Sequence, residues 1–195
     1  PAYCHGCSGR PRVSRVIADH NVNTSDAMHG LGVALAGLLR AGDIVVLTGP
    51  LGAGKTTLSR GVGEGLGVTG TVSSPTFVIA RTHKRTDGGP DLVHVDAYRL
   101  SGPEELDDLD IDFARSISLI EWGRGFTDGL SDSWLDIQIE RGHLPIAESA
   151  IEDEDPRHIR IVGHGPRWET ADLGSWDEQL ESLGISPFPT EGEDA

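Results

Sequence analysis

Stretches of apolar residues without polar alternation predict strands that lie inside a sheet. Residues 43–48 read Asp-Ile-Val-Val-Leu-Thr, and residues 118–122 read Ser-Leu-Ile-Glu-Trp. A strand covered on both faces has this composition, which is typical of parallel sheets. Residues 134–141 instead alternate apolar and polar side chains, as a strand with one exposed face does. Shorter apolar runs predict two further strands, at 13–18 and 158–162.

Helical spacing and capping residues predict three helices. The first begins at Thr24 or Ser25, either of which can cap it, and ends at Gly42. Its apolar face is formed by Met28, Leu31, Leu35 and Leu38. A second helix covers residues 55–66. Proline followed by acidic residues, which the helix dipole favours in a first turn, predicts a short acidic helix within 103–115.

A turn of sequence Asp-Gly-Gly-Pro at residues 87–90 predicts a hairpin. The loop at 73–75 runs into its first strand, and residues 92–96 form its second. Strands that lie before and after a helix predict layers of helix, sheet and helix. We therefore expect a three-layer α/β fold with a mostly parallel central sheet and antiparallel edge strands.

These patterns span residues 13–163, which we expect to form one domain. Residues 1–12 are rich in Gly, Pro, Ser and Arg, and predict a disordered leader. Its Cys4 and Cys7 form a CxxC, but the sequence offers no second ligand pair, so free thiols are favoured over a zinc or redox site. Residues 164–195 are rich in Gly, Pro and acids, and predict a flexible tail with at most one weak helix near 176–183.

The charge balance limits the classes of partner. The 31 Asp and Glu residues outnumber the 16 Lys and Arg residues, for a formal net charge of -15. Such a chain repels nucleic-acid phosphates, so we expect no strong direct nucleic-acid binding. No apolar run approaches the roughly 18 residues of a membrane span, and the first residues lack the apolar region of a signal peptide. We expect a cytoplasmic protein.

A glycine-rich segment between a predicted strand and a predicted helix carries the clearest chemistry. Residues 49–56 (GPLGAGKT) match the phosphate-binding pattern GxxxxGK[ST] in full. Backbone amides of such a loop converge on phosphates, Lys55 reaches the terminal phosphates, and the Thr56 hydroxyl faces Mg²⁺. The fold is then that of a P-loop NTPase. We expect nucleotide contacts from Gly49, Gly52, Ala53, Gly54, Lys55, Thr56 and Thr57.

Two carboxylates are candidates for binding the metal or the attacking water at such a site. Asp96 is the last residue of the predicted strand 92–96. Glu121 ends the apolar run Ser-Leu-Ile-Glu of the strand that begins at residue 118. Because the carboxyl ends of parallel strands meet at one edge of a sheet, both would lie near the phosphates. The hydroxyls of residues 73–76 follow the loop helix, where segments that sense a γ-phosphate occur. Neither NKxD nor a DxxG after the loop is present, which favours ATP over GTP.

Several strings in fixed order carry a family resemblance. With LTGPLGAGKTTLSRG, SSPTF, HVDAYRL and IEW, the chain resembles the TsaE family, formerly called YjeE, over residues 13–163. The resemblance implies a small bacterial P-loop ATPase that uses ATP and Mg²⁺. It implies a role in making threonylcarbamoyladenosine beside the anticodon of certain tRNAs, through a complex of TsaD and TsaB.

The resemblance also implies roles for individual residues. Thr56 and Glu121 would ligate Mg²⁺. Asp96 would be essential for hydrolysis, either by positioning water or by supporting the metal shell. Lys55 and the amides of residues 52–57 would hold the phosphates. Further contacts to the nucleotide are implied for Ser25 and Arg157.

Two alternatives stay open at this point. A small-molecule kinase could use the same loop, with Asp96 as the base that deprotonates an acceptor hydroxyl. A kinase typically needs an arginine-rich lid, and the sequence shows only a short hairpin after the loop, so an ATPase is favoured. Trp122, next to Glu121, lies either near the nucleotide or a partner, or in the core.

Overall fold

The computed structural model describes residues 13–127, 130–141 and 156–188. The described strands are β1 Ser14–Val22, β2 Ile44–Thr48, β3 Ala80–His83, β4 Leu92–Asp96, β5 Ile117–Glu121, β6 Trp134–Arg141, β7 Arg157–His164 and β8 Ser186–Pro187. The described helices are α1 Ser25–Ala36, α2 Lys55–Gly65, α3 Glu104–Asp107, α4 Pro166–Glu169 and α5 Trp176–Ser182, with a 3₁₀ turn at Ala97–Arg99. Within this part of the chain, no helix has the length and apolarity to cross a membrane.

The strands form one mixed sheet in the order β3-β4-β5-β2-β6-β7-β1-β8. The four in the middle, β4, β5, β2 and β6, run parallel to one another. The pairs β3 with β4, β6 with β7, β7 with β1, and β1 with β8 are antiparallel. The expected α/β arrangement, with a parallel centre and antiparallel edges, is confirmed.

Strand β2 explains why the centre of the sheet is so apolar. Side chains alternate between faces along a strand, so Val45 and Leu47 enter one core cluster while Ile44 and Val46 enter another. Helices α1 and α2 cover the first face, and the short α3 and its neighbouring loops cover the second. Both faces of β2 are therefore buried, as its run of apolar residues predicts.

Helix α1 begins where predicted but ends earlier. Thr24 is its N-cap, and the Thr24 hydroxyl accepts a hydrogen bond from the Ala27 amide at 3.1 Å. The helix ends at Ala36, where three-residue hydrogen bonds replace the helical pattern: the amides of Gly37 and Leu38 donate to the carbonyls of Ala34 and Leu35. The predicted end at Gly42 is wrong, since that residue (φ 86°) lies in the turn that leads into β2.

The acidic helix predicted within 103–115 is also shorter than expected. Only Glu104–Asp107 is α-helical. Asp110 adopts a left-handed conformation (φ 51°), which a continuing α-helix does not allow. Further along, a carboxylate oxygen of Asp112 accepts from the Arg115 amide, so the segment uses its aspartates in turns.

The predicted domain boundary at 163 is wrong, because residues 164–188 are packed onto the sheet. The side chains of Trp168, Trp176, Leu180 and Ile185 are buried in the same core cluster as α1 and α2. Arg167 holds this segment to the start of β2, with its Nε 3.3 Å from an oxygen of the buried Asp43. The weak helix predicted near 176–183 is confirmed as α5. The leader 1–12 and residues 189–195 lie outside the described residues.

Trp176→Ala tests whether this segment belongs to the folded unit. The indole of Trp176 is 2% exposed, so its loss leaves a large cavity in the core. We expect the free energy of unfolding to fall by about 3–5 kcal/mol in urea titrations. Gln179→Ala, an exposed position in the same helix, is the matched control and should change it by less than about 0.5 kcal/mol. Equal, small effects of both variants would contradict the packing described here.

Candidate functional site at the glycine-rich loop

The glycine-rich loop, residues 49–55, joins β2 to α2 and is pressed against its neighbours. A Cβ at Gly49 would lie 2.4 Å from the carbonyl oxygen of Ile139 in β6. Gly54 has φ 110°, and a Cβ there would lie 3.1 Å from the side chain of Met28 in α1. Only glycine fits these two positions, so the loop stays close to the sheet and to α1. The residues proposed from sequence as a phosphate cradle are Gly49, Gly52, Ala53, Gly54, Lys55, Thr56 and Thr57, and all lie in this loop or the first turn of α2.

Lys55 starts α2 and turns its side chain back over the loop. Its Nζ donates to the carbonyl oxygens of Gly49 at 2.8 Å and Pro50 at 3.1 Å. The ammonium also lies 4.0 Å from the ring centroid of Trp122, within reach of a cation–π contact. Burial lowers the pKa of Lys55 from its ordinary value, and the negative charges of Glu121 and Asp96 oppose that change. A buried ammonium thus sits beside two carboxylates.

Asp96 and Glu121 lie side by side, as predicted. They end β4 and β5, and the parallel register pairs one with the other. Each is nearly buried, with 5% of Asp96 and 4% of Glu121 exposed. On their strands they alternate with Val95 and Ile120, which point to the opposite face, so both carboxylates face the side covered by α2.

The Glu121 carboxylate receives two hydrogen bonds on the same oxygen. The Thr56 hydroxyl donates to Oε1 at 3.3 Å. His94 Nε2 lies 3.0 Å from the same oxygen, and it must be the donor because an ionised carboxylate can only accept. Thr56 and Glu121, the pair predicted to ligate a metal, are therefore brought together by the fold.

Asp96 is held by the segment that follows α2. The Thr76 hydroxyl donates to Asp96 Oδ2 at 2.7 Å, and the Tyr98 amide donates to Oδ1 at 3.1 Å. The single hydroxyl proton of Thr76 is donated to Asp96. The Ser74 hydroxyl oxygen lies 2.6 Å from that of Thr76, so Ser74 must be the donor in this second hydrogen bond. The Asp96 amide in turn donates to the carbonyl of Ile79 at 2.8 Å. The Ser-Ser-Pro-Thr segment predicted to sense nucleotide is therefore tied directly to this carboxylate.

Two arginines reach the outer side of the loop from the paired strands β6 and β7. Arg157, for which the resemblance implies a contact to the nucleotide, donates from Nε to the carbonyl of Ala53 at 3.2 Å and so lies beside the loop. Arg141 Nη2 lies 3.4 Å from the carbonyl of Gly52, and sequence reasoning missed this residue. The register pairs Arg141 with Arg157. Two basic residues at the facing ends of neighbouring strands were the signal that could have found it.

Ser25 and Trp122 have different surroundings. Ser25 is exposed in the first turn of α1, one turn before the Met28 that faces Gly54. Trp122 is half-buried and adopts a left-handed conformation (φ 61°), with its amide donating to the carbonyl of Leu47 at 3.0 Å. Its contact with Lys55 places it at the site and not in the interior of the core.

Sequence reasoning also missed His94, whose ring is fully buried against Glu121. The signal was the alternation within residues 92–96. Leu92, His94 and Asp96 occupy every second position and hence share one face of β4. A histidine that lies between a core leucine and a site carboxylate on one strand face must point into the core next to the site.

Comparisons with known proteins show which family the chain belongs to. A family model described as "Threonylcarbamoyl adenosine biosynthesis protein TsaE" matches residues 22–147, well over half of the chain. The chain belongs to the TsaE family. This family takes part in the biosynthesis of threonylcarbamoyladenosine in tRNA. The TsaE match includes the glycine-rich loop and both carboxylates, whereas Arg157 and strands β7 and β8 lie beyond it.

Individual TsaE relatives span several bacterial groups. A protein of Streptomyces coelicolor named tRNA threonylcarbamoyladenosine biosynthesis protein TsaE is 54% identical over 149 residues, which cover 75% of this chain and 97% of that protein. A protein of the same name from Bacillus subtilis is 36% identical over 137 residues, which cover 69% of this chain and 78% of that protein. The crystal structure of Bacillus subtilis YdiB superposes with a TM-score of 0.55 at 26% identity, covering 90% of this chain and 97% of that one.

The buried state of Lys55 can be tested by titration. The chain has two lysines, so Lys84→Arg leaves a single lysine signal in NMR of ¹⁵N-lysine-labelled protein. We expect the pKa of Lys55 to lie below 10.5, because burial disfavours the ammonium. Adding Glu121→Gln removes a charge that raises this pKa and should lower it further. A pKa at or above 10.5, or a rise in the Glu121→Gln variant, would contradict this electrostatic picture.

Proposed function

We propose that this TsaE-family chain is a Mg²⁺-dependent ATPase that supports threonylcarbamoyladenosine synthesis by driving turnover of a TsaD–TsaB complex in the cytoplasm. The observation that carries the proposal is the convergence of Lys55, Asp96 and Glu121 at the glycine-rich loop. Hydrolysis of a nucleotide phosphate requires a cation that binds phosphate, a metal ligand and a group that orients water. The site offers one residue suited to each of these tasks.

The loop fits a phosphate group. Lys55 is 5% exposed, and its ammonium donates to the carbonyls of Gly49 and Pro50. A phosphate carries a full negative charge that a carbonyl lacks, so it attracts the Lys55 ammonium more strongly than these carbonyls do. The start of the eleven-residue α2 adds free amides and the positive end of the helix dipole.

The chain also fits Mg²⁺, provided that phosphates complete the ligand set. The proposed protein ligands are the Thr56 hydroxyl and the Glu121 carboxylate, which contact one another. Among the described residues no group of three or more His, Cys, Asp or Glu could hold a metal unaided. Mg²⁺ is typically bound by one or two protein groups together with substrate phosphates. When bound, it would neutralise charge that develops on the phosphates.

Asp96 is the group suited to orient the attacking water. Its carboxylate is fixed by the Thr76 hydroxyl and the Tyr98 amide, and it lies next to Glu121 without taking part in the Thr56 contact. A fixed acceptor can hold a water in line with the phosphorus that it attacks. The absence of the guanine-reading NKxD motif from the sequence supports ATP over GTP.

Exposed apolar side chains beside the site support dependence on a partner. Phe77 is 87% exposed and directly follows Thr76, while Tyr98 is 69% exposed and donates its amide to Asp96. Exposed apolar groups of this size favour protein contacts. A partner that binds there would act on the two segments that hold Asp96, so we expect slow hydrolysis by the isolated protein and faster hydrolysis with TsaD and TsaB.

Asp96→Asn separates nucleotide binding from hydrolysis. Asparagine keeps one oxygen, for one of the two existing hydrogen bonds, but loses the second acceptor and the charge. It makes no proposed contact to phosphate. We expect kcat for ATP hydrolysis to fall about 10²- to 10⁴-fold, while the affinity for ATP changes only a few-fold. Phosphate release and calorimetric titration measure the two quantities. Retention of full kcat would rule out this role for Asp96.

A reconstituted system tests the biological half of the proposal. Purified chain, TsaD, TsaB, tRNA, ATP and the remaining substrates should yield threonylcarbamoyladenosine, and phosphate release should exceed that of the chain alone. Lys55→Ala should abolish product formation, because the phosphate-binding ammonium is lost. Arg40→Ala, an exposed position remote from the loop, is the control and should keep product formation. Product formed equally well without the chain would contradict the proposal.

A further inference from the structure

His94 is a polar residue in an apolar setting. Its side chain is completely buried. On the same face of the sheet, Leu92 lies two residues earlier along β4, and Leu119 is its registered neighbour on β5. Burying a polar ring among such residues is unfavourable unless its hydrogen bonds are made. Core packing alone would favour another aliphatic residue at this position.

The hydrogen bonds of His94 are directed entirely at Glu121. Nε2 donates to Glu121 Oε1 at 3.0 Å. The other ring nitrogen, Nδ1, is buried and has no partner within the described part of the chain. The ring thus leaves one nitrogen unsatisfied and still keeps its contact with the carboxylate. That contact is the evident reason for a histidine here.

The contact controls the orientation of Glu121. Both hydrogen bonds on this carboxylate reach Oε1, one from the loop side through Thr56 and one from the sheet through His94. Thr56 belongs to the glycine-rich loop region and has a proposed role of its own, whereas His94 lies on a central strand. His94 is therefore the fixed support of the carboxylate.

We propose that His94 is a positioning residue for Mg²⁺: its Nε2–H holds the Glu121 carboxylate in the orientation in which it ligates the metal. The inference rests on the proposed function, in which Glu121 is a metal ligand. Hydrogen bonds to the ligands of a metal fix their orientation, and their loss typically lowers metal affinity about 10- to 100-fold. Among the described residues His94 makes a side-chain hydrogen bond to Glu121 and to neither the nucleotide loop nor Asp96, so its effect passes through Glu121.

Three substitutions separate the hydrogen bond from the volume of the ring. His94→Gln places an amide N–H near the position of Nε2 and keeps a donor for Glu121. His94→Asn places its amide near Nδ1, too short to reach the carboxylate. His94→Leu removes every donor and suits an apolar core. His83→Asn is the matched control, because His83 is a second buried histidine, on β3, which has no hydrogen bond to Glu121.

The measurement is the Mg²⁺ dependence of nucleotide binding. The affinity for AMP-PNP, which is not hydrolysed, is measured by calorimetry in EDTA and at increasing MgCl₂. We expect His94→Asn and His94→Leu to raise the Mg²⁺ concentration at half-effect about 10- to 100-fold, with the affinity in EDTA unchanged. His94→Gln should return it to within a few-fold of the parent protein. His83→Asn should leave it unchanged.

Several results would overturn the inference. The first is an unchanged Mg²⁺ midpoint in a folded His94→Asn or His94→Leu variant, and the second is a shift of the same size in His83→Asn. The third is a failure of His94→Gln to restore the parent midpoint. The fourth is a loss of AMP-PNP affinity in EDTA as large as the loss with Mg²⁺. Failure of the proposed function looks different, since the parent protein would then bind AMP-PNP without dependence on Mg²⁺.

A measurement on the unaltered chain covers the case in which the donor-free variants do not fold. The Nε2–H of His94 is a buried, hydrogen-bonded proton that NMR can detect in ¹⁵N-histidine-labelled protein. With AMP-PNP present, we expect this signal to shift when MgCl₂ is added and to remain protected from exchange. A signal that does not respond to Mg²⁺, or that is lost when Mg²⁺ is added, would overturn the inference.

Discussion

Two carboxylates end neighbouring parallel strands beside one buried ammonium, and the rest of the site compensates for that arrangement. The register places Asp96 next to Glu121, both nearly out of contact with water. Like charges so close repel, and a buried charge without a partner is strongly destabilising. Lys55 supplies the opposite charge, and each carboxylate has two donors of its own. The polar residues of the site are thus largely accounted for by the need to give two neighbouring buried acids hydrogen-bond donors and an opposite charge at one sheet edge.

The backbone next to each acid is strained in the same way. Ile79, whose carbonyl accepts from the Asp96 amide, has φ 67°, and Trp122, directly after Glu121, has φ 61°. A left-handed conformation is unfavourable for any side chain and most of all for a β-branched one. Such strain persists only where the surrounding fold over-determines it, and it is concentrated at functional sites. At Trp122 the constraint is the bond from its amide to Leu47 in β2, and at Ile79 it is the bond that its carbonyl accepts from Asp96 in β4.

Much of this could be predicted from the sequence because the signals were local. The buried strands, the glycine-rich loop and the two strand-end acids each follow from a few adjacent residues. The C-terminal segment could not be predicted in this way, since Trp168 and Trp176 are separated by glycine and acidic residues and become core only through long-range packing. The early end of α1 could not be predicted from its glycines, since Gly30 and Gly32 lie inside the helix while Gly37 caps it. His94 required combining the alternation along β4 with the register of β5.

The strong negative charge constrains how such a site can serve tRNA modification. A chain with 31 acidic and 16 basic residues gains little from the counterion release that drives most nucleic-acid binding. In the proposed function, energy from ATP must therefore reach the tRNA through another protein. The segment that carries Thr76 is suited to that coupling, because one end of it holds Asp96 while the exposed ring of Phe77 faces solvent. A contact on the ring of Phe77 would lie one residue away from the hydroxyl that holds the Asp96 carboxylate, which is a short path between a partner and the site.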